Sequence, residues 1–106
     1  MIIRIWRGWT THSNAPAYQE LLLTEIFSGI AARNIPGYRG ISLCKREAGD
    51  EIEFVTIMRF DSLDSVREFA GENYEGAVVP AKARALLTHF DAESAHYQTI
   101  VEPPSN

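Results

Sequence analysis

The sequence predicts an α+β domain, an antiparallel sheet of β-α-β-β-α-β order with both helices on one face. A period-2 run of branched and aromatic residues opens the chain, IIRIWRGWT, and a long amphipathic stretch of helical period follows it. Two further strand-like runs are separated only by Ala48-Gly49-Asp50, a polar glycine-bearing loop short enough to close a hairpin. At 106 residues the chain buries enough surface for one core without cross-links. A single domain over 1–106 is therefore expected, with 102–106 as a flexible tail.

Ile3, Ile5 and Trp9 alternate with Arg4, Trp6 and Gly8, which places the first strand over about residues 2–11. Ser13 and Asn14 are good N-caps and Pro16 suits a first helical turn. Tyr18, Leu22, Ile26 and Ile30 then recur at i+4 beside Leu23 and Phe27, predicting one long helix that ends near Arg33 or Asn34. Pro36-Gly37 supplies the break, because proline disfavours helix at the residue before it. The hairpin strands are Tyr38–Glu47 and Glu51–Phe60. Asp61 or Ser62 caps a second helix in which Leu63, Val66 and Phe69 keep helical spacing until Gly71. The segment GENYEGAVVP reads as irregular or single-turn, Ala81–Leu87 as one short helix after Pro80, and His89–Glu102 as a closing strand around HYQTIV.

That order is the split βαβ, ferredoxin-like arrangement, which leaves one sheet face bare. Each strand carries apolar groups on both parities, as with Trp6 and Trp9, or Phe54 and Val55. One set packs on helices. The other needs a second cover, most economically an identical sheet related by a twofold axis, so a homodimer is expected.

Ten basic against fourteen acidic residues give a net charge of −4 with the signs interspersed, which argues against a nucleic-acid partner. Cys44 is the only cysteine and falls in a strand, so an internal disulfide and a thiolate metal cluster are both excluded, and it reads as a small buried hydrophobe. The opening MIIRIWRGWTTH has neither a signal-peptide core nor a span, so no membrane partner and a cytoplasmic location are expected.

The segments IIRIWRGWT, PGYRGISLCKRE, EIEFVTIMRFDSLDSVREFAGENYEGAVVP and LLTHFDAESAHYQTI, taken in order, resemble the antibiotic biosynthesis monooxygenase family over nearly the whole chain. The resemblance implies a dimeric α/β barrel. Its implied activities include oxygen insertion into aromatic polyketides without metal or flavin, and haem degradation. The haem-degrading branch uses an Asn on the first strand, a Trp in the second helix and a His beyond it. Those places fall near Arg7, Phe69 and Val79 here, and none of the three residue types is present.

His96 is the candidate catalytic residue, since the resemblance places one member of the His96-Tyr97 pair toward the barrel interior and a neutral imidazole can act as general base. The strand parity that decides between His96 and Tyr97 is open. The alternative is a strand histidine held for packing. Trp6, Phe60, Phe69 and Tyr74 are candidate walls of an aromatic substrate pocket, Phe60 at the barrel mouth and Tyr74 in the segment above it, with plain core packing as the alternative. Among the strand cations Arg4, Arg39 and Arg59, one turned inward could hold an anionic substrate, against a solvated or salt-bridged role. His12 and His89 lack a placed carboxylate and are a poor metal signal, so no metal site and no cofactor are expected. Three readings stay open: a cofactor-independent monooxygenase acting on a small quinol- or anthrone-like aromatic, a non-catalytic barrel that binds a small molecule or serves a stress-related role, and, behind these, a protein that binds or degrades haem, which His89 or His96 could ligate only by a different geometry.

Overall fold

A computed structural model of the chain describes residues 1–104. It contains β1 (Ile2–Thr11), α1 (Ala15–Leu21), a π-helical stretch (Leu22–Ile26), α2 (Phe27–Ala32), β2 (Tyr38–Ala48), β3 (Glu51–Phe60), α3 (Leu63–Ala70), α4 (Ala81–Leu86), β4 (Leu87–Phe90) and β5 (Ala95–Gln98). The antiparallel sheet has the order β2-β3-β1-β4, and β5 pairs with the same edge of β1 as β4. This is the expected α+β topology with its last strand split in two.

Register separates the two faces. Arg4, Trp6, Gly8 and Thr10 of β1 lie beside Met58, Thr56, Phe54 and Ile52 of β3, with His96 beside Arg4. Most of this set is buried, and the helices cover it. One core cluster joins Tyr18 and Leu22 to Ile52, Phe54 and Ala83. A second joins Met58 and Phe60 to Val66. The opposite face presents Ile3, Ile5, Trp9, Val55 and Ile57 half-buried and Tyr97 57 % exposed.

The structure departs from expectation in several places. Cys44, expected as a small buried hydrophobe, is exposed on β2. The long helix is not regular. Phe27 donates its backbone N–H to Leu22 O, five residues back, and the register slips by one. Leu23 therefore faces solvent at 53 % exposure while Phe27 packs inward. The hydroxyls of Thr24 and Ser28 bond to the carbonyls of Glu20 and Thr24 at 2.8 and 2.9 Å, satisfying acceptors in the disturbed turn. The Ala81–Leu87 helix ends one residue early, since Leu87 already pairs with Thr10.

The closing strand breaks over 91–94. There Asp91 N–H bonds to Arg7 O at 3.0 Å and Ser94 N–H to Glu75 O at 2.7 Å, so the chain turns aside to pair with the segment after α3. It ends at Gln98, leaving Ile100 and Val101 exposed. Of the expected tail, 102–104 has no regular secondary structure, and 105–106 lie outside the described residues. No helix among the described residues is long and apolar enough to cross a membrane.

Candidate functional site

Between the inner sheet face and the helices lies a cavity of about 60 Å³. Trp6, Thr56 and Met58 rise from the sheet, Tyr18, Leu22, Ile26 and Phe27 come from the long helix, and Phe69 closes one side. Val78, Val79 and Pro80, from the irregular stretch between α3 and α4, cover it. The π-helical slip is what lets Leu22, Ile26 and Phe27 all reach this wall. Gly8 has a matching role in β1. A Cβ there would come within 3.0 Å of the Trp6 ring and 3.1 Å of Leu87, so the missing side chain is what allows the indole to lie along its own strand. Trp6 Nε1 then donates to Asp91 O at 2.7 Å, inside the break between β4 and β5.

The one cation in this lining is Arg4, only 3 % exposed. Its Nη1 donates to Tyr74 O and, at 2.9 Å, to His96 Nε2, and its Nη2 donates to Gly76 O at 3.2 Å. The guanidinium also lies 5.4 Å over the Phe69 ring. Among the described residues it pairs with no carboxylate. Burial pushes its pKa down to about 10, which leaves it charged at neutral pH.

Arginine only donates, so His96 Nε2 accepts and the neutral ring carries its hydrogen on Nδ1. Burial first, and then repulsion by Arg4, hold the His96 pKa below its ordinary value. Tyr18 is buried in the wall, and its phenol is pushed up to about 12 by burial, so it stays protonated.

Of the residues expected to form a site, Trp6 and Phe69 line the cavity. His96 and Tyr74 lie next to it, ring edge to ring face at 5.1 Å, in a separate depression of about 430 Å³ shared with Ile2, Ser94 and Tyr97. They reach the cavity through Arg4. Phe60 does not sit at a mouth. It is fully buried between Tyr38 and Phe69 in the second core cluster, because its place on β3 is already covered by α3.

The open parity is resolved by register. His96 lies beside Arg4 on the inner face, whereas Tyr97 lies beside Ile3 on the outer one. Among the strand cations Arg39 bonds to Asp61 at 2.8 and 2.6 Å, and Arg59 to Ser42 at 3.1 Å, so Arg4 alone turns inward. The helical wall, Val78 and Ser94 went unread in the sequence. The sharing of strand parity by Arg4 and Trp6 was the signal that could have joined those two.

His12 and His89 each meet one carboxylate, Glu47 at 2.6 Å and Glu51 at 2.9 Å, and His89 stacks on Trp9 at 4.5 Å. Among the described residues no three His, Cys, Asp or Glu side chains group as metal ligands. The residues at the three places that the haem-degrading branch uses do not match it. Arg7 is on the outer side, bonded to Asp91 at 2.9 Å, and Phe69 and Val79 line the cavity without a ligating atom.

No protein-family model matches the chain, and neither does any curated protein. Solved structures do match. A putative antibiotic biosynthesis monooxygenase from Bacillus cereus aligns over 99 % of this chain and 96 % of its own, with TM-score 0.67 and 15 % identity. SnoaB, a cofactor-independent oxygenase from Streptomyces nogalater, aligns over 98 % of both chains with TM-score 0.59 and 20 % identity. The heme-degrader MhuD from Mycobacterium tuberculosis, with two hemes in its active site, aligns over 98 % of this chain and all of its own, with TM-score 0.62 and 15 % identity. The chain thus has the fold of the antibiotic biosynthesis monooxygenase structures. The resemblance read from the sequence holds at that level.

Proposed function

We propose that the chain is a homodimeric, cofactor-independent monooxygenase that takes a small quinol- or anthrone-like aromatic into the cavity between helices and sheet. The observation that carries this reading is an apolar, aromatic-walled cavity with a single buried cation at its edge. Such a substrate becomes an electron-rich anion on losing a proton and can then reduce dioxygen itself. For an anthrone the methylene becomes a carbonyl and the second oxygen atom leaves as water. The protein's part is a base, a dry pocket and a charge to steady the anion. His96 is the base in this reading, supported by its lowered pKa, which favours the neutral ring at pH 7. Its Nε2 lone pair is engaged by Arg4 and the ring lies beside the cavity, so in this reading Arg4 first turns from the imidazole toward the substrate, freeing Nε2 to take the proton.

Dioxygen uptake with a panel of anthrones and quinols, and mass spectrometry of the products, tests it. His96→Ala is expected to slow turnover by roughly 10²- to 10⁴-fold. Undiminished turnover by that variant removes His96 from the chemistry. The rival, a non-catalytic binding protein, is favoured by the occupied His96 lone pair and by the 60 Å³ cavity, small against the roughly 300–1,000 Å³ of ordinary ligand pockets. Ligand binding with no dioxygen uptake decides for it.

A further inference from the structure

A buried guanidinium needs its charge answered. Arg4 meets two backbone carbonyls, one neutral imidazole and one aromatic face, none of which carries negative charge. A guanidinium has five N–H donors. Three are used in these bonds, so two have no protein acceptor among the described residues. The side chain is more than nine-tenths buried and lines the cavity. Everything else around that space is apolar or uncharged.

We infer that the natural occupant of the cavity is an aromatic acid, a ring bearing one carboxylate or an equally acidic hydroxyl that pairs with Arg4 while the ring packs on Trp6 and Phe69. This rests on the cavity being the ligand site, as proposed above, and adds the ligand's charge. Geometry favours a planar anionic group, because the guanidinium fork donates to two oxygens at once. It also explains how so small a space admits a ring. An engineered apolar cavity of about 150 Å³ accepts benzene, more than twice the volume here. The segment covering the cavity must therefore yield, and Arg4 itself holds that segment by the carbonyls of Tyr74 and Gly76. An entering anion takes the two donors left free, on the same guanidinium that holds the cover, so the group that recognises the ligand is also the one on which the cover rests.

The test is a pair of probes of equal shape, benzoate and benzamide, titrated into the full chain by calorimetry with two-dimensional NMR to locate the shifts. Benzoate is expected to bind at least tenfold more tightly, the value of one charge-assisted hydrogen bond exchanged for a neutral one. Its shifts are expected in the indole of Trp6 and in the backbone of Tyr74 and Gly76. Arg4→Met is expected to abolish the preference, and Arg4→Lys to keep part of it. Equal affinity of the two probes at the cavity leaves the ligand site standing and overturns the acid. Failure of both probes to move cavity resonances overturns the site and the acid together. The comparison in the native chain holds even if a variant at Arg4 does not fold.

Discussion

Taking a guanidinium out of water with no carboxylate beside it costs several kcal/mol even after the surroundings relax. Arg4 offsets part of this with three hydrogen bonds of the charged kind, worth about 1.5–3 kcal/mol each. Replacement by an apolar side chain of similar length removes the desolvation cost but leaves the Tyr74 and Gly76 carbonyls and His96 Nε2 without their donor, at about 1–3 kcal/mol each. Arg4→Met is therefore expected to lower the melting temperature and to abolish the preference for an anionic ligand. His96 reports the same event. Its folded pKa lies below the ordinary 6.5, so around that pH the unfolded chain binds more protons than the native one. Native stability is thus fully present above about 6.5 and declines as the pH falls through the folded value. Without Arg4 the repulsion goes, although desolvation remains, so the His96 resonance should titrate higher and the acid-side decline should shrink. A histidine that titrates identically in both proteins shows that Arg4 does not set its charge. At this scale Trp6, Phe69 and the inward turn of one of the three arginines could be anticipated from residue type. The choice between His96 and Tyr97 could not, because alternation shows that neighbours face opposite ways and not which way is in.

Helix and strand junctions are where backbone conformation decides most. Gly37 has φ +83°, and a Cβ there would sit 2.0 Å from Ser65 Oγ, on the first turn of α3. Its carbonyl also accepts Asp61 N–H at 2.8 Å, fixing the approach to the Ser62 cap. Gly49, in the hairpin turn, has φ +64° with nothing near its missing side chain. Gly49→Ala should cost about 1 kcal/mol, the price of the left-handed region alone. Gly37→Ala adds a clash and should cost roughly 3 kcal/mol, read as a lower urea midpoint. Equal losses would show that the loop simply moves away from α3. The sequence marked Pro36-Gly37 as a break, but nothing local could reveal a contact made with a residue so far along the chain. The split between β4 and β5 was hidden for the same reason, since it is held by Arg7 and Glu75, remote from it in sequence.

For the molecule as a whole, the uncovered sheet face is the largest unmet demand. Ile5 and Ile57 are cross-strand partners on that face, next to half-buried Ile3, Trp9 and Val55. A second copy related by a twofold axis would cover this surface with itself. Light scattering should give twice the 11.9 kDa chain mass, and Ile5→Asp with Ile57→Asp should give a monomer. A native chain that stays monomeric at micromolar concentration rules the pairing out. This requirement could be read in the sequence, because apolar residues on both parities of a strand cannot all be covered by one layer of helices.

The slipped turn at Leu22–Ile26 holds one residue more than a regular helical turn would. Deleting one residue there would restore the normal ladder and rotate Ala15–Leu21 by about 100° against Phe27–Ala32. Tyr18 would swing away from its place against Phe54, and the cavity would lose a wall. A one-residue change in chain length is thus a route by which related sequences could acquire or discard this chamber without altering any residue that lines it.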